Sequence, residues 1–336
     1  MREEKSMQAA WYEEQGAAQE VIKYGEMSIP QPGAGEVRVK VFASGVNPSD
    51  TKVRSGWGGI PQMFDRVIPH QDGAGVIESV GENVKRERIG ERVWIYEAQQ
   101  ERPFGTGAEY VVVPNQQAVT LPDNTSFAEG ACLGVPAMTA HRAVFADGSV
   151  EGKTILVTGG AGAVGNYAIQ LAKWGGANVI TTVSREEQAK IAQTAGADYI
   201  INYKSEDVVQ RIRDMTGVER GIDRVIDVNF SANLPITSQV ISPNGVITTY
   251  SSGEPDEQPP LPSLLLLMNA VTIHFVLVYI MSEENKQSAI RDITKALEAD
   301  FLHHNIARRF PLSEIAIAHD VQDSGQAMGK VIIEIA

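Results

Sequence analysis

Apolar and polar residues alternate over 36–46, EVRVKVFASGV, with Val37, Val39 and Val41 on one side. A period of two predicts a strand with one buried face. ERVWIY at 91–96, GAEYVVVP at 107–114 and AVTLP at 118–122 continue the pattern, and glycine-rich stretches (SGWGG, DGAGV, SVGEN, FGTG) read as the turns between strands. No long amphipathic helix interrupts this first third. It reads as a compact, mostly antiparallel barrel-like unit.

From about residue 128 the period changes. Candidate strands TILVTG, ANVITTVS, DYIINY, DRVIDV, GVITTY and VTIHFVL alternate with helical segments such as NYAIQLAKW, REEQAKIAQTA and SEDVVQRIRDM. Such alternation predicts a doubly wound parallel sheet with helices on both faces, and six strands suffice for two mononucleotide-binding halves. The amphipathic helix at 284–302 and the ending KVIIEIA fall outside that set. The predicted organisation is therefore an α/β chain with a barrel domain at 1–127 and 282–336 and a nucleotide-binding domain at 128–281. SSGEPDEQPPLP, 251–262, reads as a proline-rich acidic loop. SLLLLMNAVTIHFVLVYIM, 263–281, approaches the length of a membrane span, but Asn269, Thr272 and His274 break it, so two short buried elements are expected.

Residues 157–165, VTGGAGAVG, lie where the first parallel strand passes into a helix. Gly160, Gly162 and Gly165 form G-x-G-x-x-G. In this context the first glycine is expected to permit a tight turn, the second to let a pyrophosphate approach the backbone, and the third to let helix and strand pack closely. The helix start at Ala161, Ala163 and Val164 then offers unpaired N–H groups to phosphate. A purely conformational role for the glycines is the alternative. At the end of the next strand an NAD site would carry an acid for the ribose 2′-OH. Ser184 and Arg185 stand there instead, and a guanidinium suits the extra phosphate of NADPH. Ser184-Arg185-Glu186-Glu187 also spells a helix capping box.

Net charge sharpens the class. With 29 basic and 42 acidic side chains the chain carries −13, which disfavours nucleic acid and anionic membrane as partners. Its start, MREEKSMQAAWYEE, lacks the apolar core of a secretory signal. The single cysteine, Cys132, excludes an internal disulfide and a multi-thiolate zinc site, and a reducing cytoplasmic location is expected. Cys132 sits in an apolar stretch without an evident base, so inert burial is its expected state.

Several landmarks recur in order: SGVNPSDTKVRSG at 44–56, DGAGVIESVGENV at 72–84, GERVW at 90–94, GTGAEYVVVP at 105–114, VPAMTAHRA at 135–143, and the glycine turn. With them the chain resembles the medium-chain dehydrogenase/reductases over nearly its whole length, and within them the zinc-free quinone oxidoreductases. That resemblance implies a GroES-like domain joined to a Rossmann domain. Zinc-dependent members bind their catalytic metal through Cys, His and Cys, and the matching positions here are Asn47, Gln71 and Val135. His70 is one residue out of register, and the four-cysteine structural lobe has no counterpart, so no metal is expected. His141, His274, His303, His304 and His319 show no ligand spacing and read as surface or packed histidines.

Without a Lewis acid, a conjugated acceptor that spreads its incoming charge is the natural partner of a hydride donor. The resemblance thus implies NADPH-dependent, zinc-independent reduction of a quinone or an α,β-unsaturated carbonyl. It places Asn47, Asp50 and Arg54 beside the reacting atoms, Thr139 near the nicotinamide, Phe275 and Leu277 at its carboxamide, and Tyr203 over the adenosine ribose-phosphate. Asn47 and Asp50 also suit a plain turn around Pro48. Lys52 and His141 stand where the family often has tyrosine; each is a candidate acid or an ordinary solvated or packed side chain. Two alternatives remain open: an enal or enone double-bond reductase, and an NADPH-binding structural or sensor protein with little turnover. The last strand of the set, at 272–279, is an expected edge and hence an expected homodimer seam.

Overall fold

The valine alternation at 37, 39 and 41 becomes part of the strand Glu36–Val46, and those three valines are fully buried. The computed structural model describes residues 6–217 and 221–335, which divide into two units at 135/136 and 305/306. In the first unit, Glu36–Val46 pairs antiparallel with Lys330–Glu334, Asp72–Val80 and Tyr110–Pro114. Asp72–Val80 continues to Arg92–Ile95 and then Ala118–Thr120, while Ile306–Pro311 runs parallel to Lys330–Glu334 at the other side. A separate antiparallel pair joins Ser6–Trp11 to Lys23–Ser28. Val93, Val111, Val113, Val331 and Ile333 complete the core around the three valines.

DGAGV is not a turn. It opens the strand Asp72–Val80, and its glycines are there for closeness: a Cβ on Gly75 would lie 1.9 Å from Lys40 O, and one on Gly73 2.8 Å from Thr106 Cγ2. Both contacts are closer than real Cβ atoms come, so the strand passes only where no side chain exists.

The second unit has the predicted parallel sheet. Across it the strands run Tyr199–Asn202, Asn178–Val183, Thr154–Thr158, Ile222–Asp227, Ile241–Thr249 and Thr272–Phe275. Numbered along the chain this is 3-2-1-4-5-6, and every pair in it is parallel. The helix Glu283–Glu298 belongs here rather than to the barrel unit, correcting the expected boundary at 281/282. Its stripe Ala289, Ile293, Ala296 and Leu297 is buried, His141 meets Asp292 at 2.9 Å, and Phe301 packs edge-on to Trp174. A complete strand count left this part of the helical layer unassigned.

The apolar stretch at 263–281 resolves into two short elements, the helix Ser263–Met268 and the edge strand Thr272–Phe275. They are not buried as expected. Leu264, Leu267, Met268, Phe275 and Ile280 are each at least two-thirds exposed. Among the described residues no helix is long and apolar enough to cross a membrane.

Candidate functional site

The glycine turn joins Thr154–Thr158 to the helix Ala163–Trp174, and its glycines divide the work unevenly. Gly159, outside the G-x-G-x-x-G frame, supplies the left-handed bend at φ 68°. Gly160 is required by packing instead, because a Cβ there would lie 2.2 Å from Thr181 Oγ1. A Cβ on Gly165 would meet Gly159 O at 2.4 Å, which is the predicted close approach of helix and strand. Gly162 is different. Its nearest obstacle is 3.4 Å away, it is exposed, and it caps the helix without a side chain. The first-turn N–H groups, from Ala163 and Val164 onward, therefore open onto a face where a phosphate can approach the backbone. Ala161 is buried and accepts from Asn305 Nδ2.

Around this turn the strand ends enclose a cavity of about 350 Å³, lined by Thr158, Gly159, Thr182, Tyr203, Val228 and Asn229 among others. It lies at the carboxyl ends of the strands, where open α/β sheets bind ligands. Tyr203 is half exposed and tied through its N–H to Val183 O. Val228 and Asn229 carried no signal in the sequence. Beneath them Asp227 accepts from Thr158 Oγ1 at 2.8 Å and Asn233 Nδ2 at 2.6 Å, clamping two strand ends together. Burial raises its carboxyl above the usual carboxylate range, and these donors pull it back in part.

Ser184 does not form the expected capping box. The helix Glu186–Thr194 starts from Arg185, and Ser184 gives both its N–H and its hydroxyl to Gln188 Oε1, at 2.8 and 2.9 Å. Gln188 reaches this serine from one residue beyond the expected Glu187. Arg185 is exposed and makes no ion pair or side-chain hydrogen bond among the described residues. Phe275 ends the edge strand and Leu277 lies two residues beyond it, both exposed, with two strands between that strand and the glycine turn's own. At about 4.8 Å per strand this separation suits an extended dinucleotide. Thr139 is buried in the helix Gly134–Phe145.

The barrel unit holds a second cluster. Asn47 caps the helix Pro48–Ser55, Pro48 takes the first helical position, and Asp50 Oδ2 accepts from the Asn47 N–H at 2.7 Å. The Asn47 Nδ2 donates to Asp72 Oδ2 at 2.9 Å, and the Val135 N–H donates to Asp72 Oδ1 at 2.8 Å. Lys330 Nζ completes the group, 2.5 Å from Asn47 Oδ1 and 2.7 Å from Asp72 Oδ2. All three side chains are essentially buried. Asp50 is buried too, with no partner for Oδ1, and its carboxyl is pushed up to about 7, first by burial and then by the charge of Asp72.

Other candidates are placed elsewhere. Arg54 is buried, donating to Gly16 O at 2.6 Å and pairing with Asp323 at 2.5 Å, so it braces its helix. Lys52 Nζ lies 3.8 Å over the Trp57 ring. His70 Nδ1 meets Ser44 Oγ at 2.8 Å and its Nε2 meets His319 Nε2 at 2.9 Å. Cys132 donates to Ala128 O, and burial pushes its thiol up to about 12.

The zinc positions of the dehydrogenase pattern do not fit a metal. Asn47 and Val135 both attach to Asp72, Gln71 turns to Gln99, and the ammonium of Lys330 sits against the carboxylate a cation would need. Among the described residues no three His, Cys, Asp or Glu side chains are grouped to hold a metal ion.

Residues 33–123 match the alcohol dehydrogenase GroES-like domain, and residues 163–295 match the zinc-binding dehydrogenase domain. That pair of domains defines a medium-chain dehydrogenase/reductase. Over its length the chain is 31% identical to the quinone oxidoreductase of Sus scrofa, covering 94% of both proteins. It is 28% identical to the 2-haloacrylate reductase of a Burkholderia species, covering 92% of this chain and 93% of that one. A mycobacterial protein solved in complex with NADPH superposes with a TM-score of 0.84 at 27% identity, covering 98% of this chain and 99% of that one. The chain belongs to the quinone oxidoreductase family, in the zinc-independent branch of that class.

Proposed function

We propose that the chain is an NADPH-dependent reductase of quinones. The observation that carries this reading is the open face over Gly162 at an uncapped helix N-terminus, in a chain whose relatives of matching length are quinone oxidoreductases. NADPH supplies a hydride, the quinone takes it with one proton from water, and NADP⁺ and hydroquinone result. The backbone of Ala161 to Gly165 holds the pyrophosphate, and Tyr203 covers the adenosine end. Arg185, exposed and without an ion pair among the described residues, faces the 2′-phosphate with Ser184 beside it. Thr139, Phe275 and Leu277 hold the nicotinamide end. On the barrel unit Asn47 and Asp50 serve the acceptor, with Arg54 bracing the helix that carries them. The acceptor's own conjugation takes the charge that zinc carries in other dehydrogenases.

NADPH absorbance should fall on adding 1,4-benzoquinone, at a rate unchanged by EDTA. Tight NADPH binding without turnover on any quinone or enoate would leave a binding protein instead, and loss of activity in EDTA would sink the zinc-independent reading. The likeness to a 2-haloacrylate reductase favours one second reading, reduction of an activated carbon–carbon double bond. Faster turnover of 2-chloroacrylate than of any quinone would establish it.

The exposed edge strand Thr272–Phe275, with Leu264, Leu267 and Met268 beside it, supports a homodimer formed by strand pairing. A monomer in sedimentation equilibrium would remove that pairing. One buried cysteine and an acidic surface support a cytoplasmic setting, which the fluorescence of a tagged chain in cells would check.

A further inference from the structure

A second cleft opens in the nucleotide unit, between the helices Ala163–Trp174 and Glu186–Thr194 and residues 303–305. Its volume is about 280 Å³, and it shares no lining residue with the cavity at the strand ends.

The chain itself settles how one amide in this cleft is turned. Gln170 is 2% exposed and gripped by the backbone of His303: its Oε1 accepts from the His303 N–H at 2.7 Å, and its Nε2 donates to His303 O at 2.9 Å. Flipping Gln170 would set donor against donor and acceptor against acceptor, so its nitrogen is fixed. The second hydrogen of that nitrogen goes to Asn166 Oδ1 at 2.8 Å. Asn166 therefore gives its oxygen to Gln170 and turns its NH₂ group elsewhere. Asn166 is only 5% exposed and lines the cleft, and its Nδ2 donates to no acceptor among the described residues. A buried donor left unmet is costly, and folded proteins rarely keep one.

The rest of the lining indicates what meets it. Ile191 and Ala195 give an apolar wall, Lys190 an ammonium and His303 an imidazole, and no acidic residue lines the cleft. Lys190 pairs with Glu186 at 3.2 Å, but both are exposed and such a pair contributes little, so the ammonium is free to turn. A water would meet the amide and leave the cation and the apolar wall unused. An anion with an apolar body uses all three.

We propose that this cleft binds a small carboxylate with an apolar body, its oxygens on Asn166 Nδ2 and near Lys190, at a site separate from that of NADPH. Hydrogen bonds to an ionised acceptor are the stronger kind. The site goes beyond the reductase reading and does not depend on it.

Benzoate is the probe, titrated by calorimetry into the full chain with and without saturating NADPH. It should bind at one site per chain in both cases, with a dissociation constant of about 1 mM or tighter. Benzamide keeps the ring and a carbonyl but lacks the charge, and should bind at least about tenfold more weakly. Asn166→Leu keeps the volume without the donor, leaves Gln170 both bonds to His303, and should weaken benzoate at least about tenfold. Lys190→Glu, at an exposed position, should weaken it as much, and it carries the test if Asn166→Leu does not fold. No binding up to about 20 mM benzoate, outright displacement by NADPH, or parental affinity in either folded variant would overturn the proposal. Benzoate binding as expected in a chain that takes up no NADPH would instead overturn the reductase reading and leave this site standing.

Discussion

The two units build their candidate sites from opposite materials. The nucleotide unit uses backbone: four glycines within seven residues, an open helix end, and small residues that keep out of the way. The barrel unit uses buried side chains brought from far apart, with Asn47 and Asp72 separated by 25 positions and Lys330 by 258 more. A backbone site depends on shape and space and is indifferent to pH. A site of buried charges depends on protonation and on every partner being present. The difference makes the two halves fail differently when perturbed.

The largest expected contrast is in pH dependence. Asp50 has its folded-state value pushed up to about 7, against about 4 for an unfolded aspartate. For an acid raised in this way, the folded state holds the proton more tightly than the unfolded chain. Its contribution to stability is complete below about pH 4 and is lost as pH rises through about 7. Three units correspond to at most about 4 kcal/mol. Asp50→Asn keeps an oxygen for the Asn47 N–H and removes the titration. Urea unfolding between pH 4 and 8 should show the variant gaining on the unmutated protein as pH rises, while NADPH affinity follows one pH curve in both. Parallel stability profiles would show that Asp50 ionises normally, and that the barrel cluster is less sealed than its geometry implies.

Next in size is a split among three glycines of the other unit. Gly165→Ala drives a methyl against a backbone carbonyl and Gly160→Ala drives one against a threonine hydroxyl, so each should lose about 1–3 kcal/mol of stability. Gly162→Ala has ordinary contact distances and should fold within about 1 kcal/mol of the parent. Its methyl nonetheless stands on the phosphate side, and NADPH affinity measured by fluorescence quenching should fall at least about tenfold. Thermal denaturation alongside that titration separates the two effects. If all three variants lost stability equally and bound equally, the turn would be a conformational device with no ligand face.

How much of this was legible follows the same contrast. Strand alternation, the six strands of the parallel sheet and the glycine frame come from local periodicity, and local periodicity survives folding, whereas the order 3-2-1-4-5-6 is seen only in the structure. DGAGV misled because glycine marks both turns and close strand crossings, and only the partner Lys40 distinguishes the two. The helix Phe230–Val240 carries Pro235 inside it, which argues against a helix in sequence, yet Asn229 caps it through Ala232 N–H and its buried face includes Phe230 and Leu234. The apolar run at 263–281 looked like core because apolar composition alone does not say which side chains pack: Leu266 is buried, while Leu264 and Leu267 on the same helix are exposed. Lys330 gave no signal at all: its neighbours in space are hundreds of residues away, and a lysine opening a strand reads as solvated.

The smallest expected effect tests whether Arg185 reads the 2′-phosphate. Its guanidinium is exposed and has no protein partner among the described residues, so replacing it breaks no interaction that holds the fold. Arg185→Ala should leave the melting temperature unchanged and reduce the preference for NADPH over NADH by about tenfold, or about 1.4 kcal/mol, with most of the change in NADPH affinity. The remaining preference would belong to Ser184 and the backbone nearby. Arg185→Glu should go further, restoring the acid that an NAD site places near this strand end and repelling the phosphate as well. Because the contact is electrostatic and solvent-facing, the parental preference for NADPH should also shrink as salt rises, and that of the alanine variant should not. A preference untouched by both substitutions would assign the phosphate to groups outside this loop, and would leave the backbone turn without the one charged side chain proposed for it.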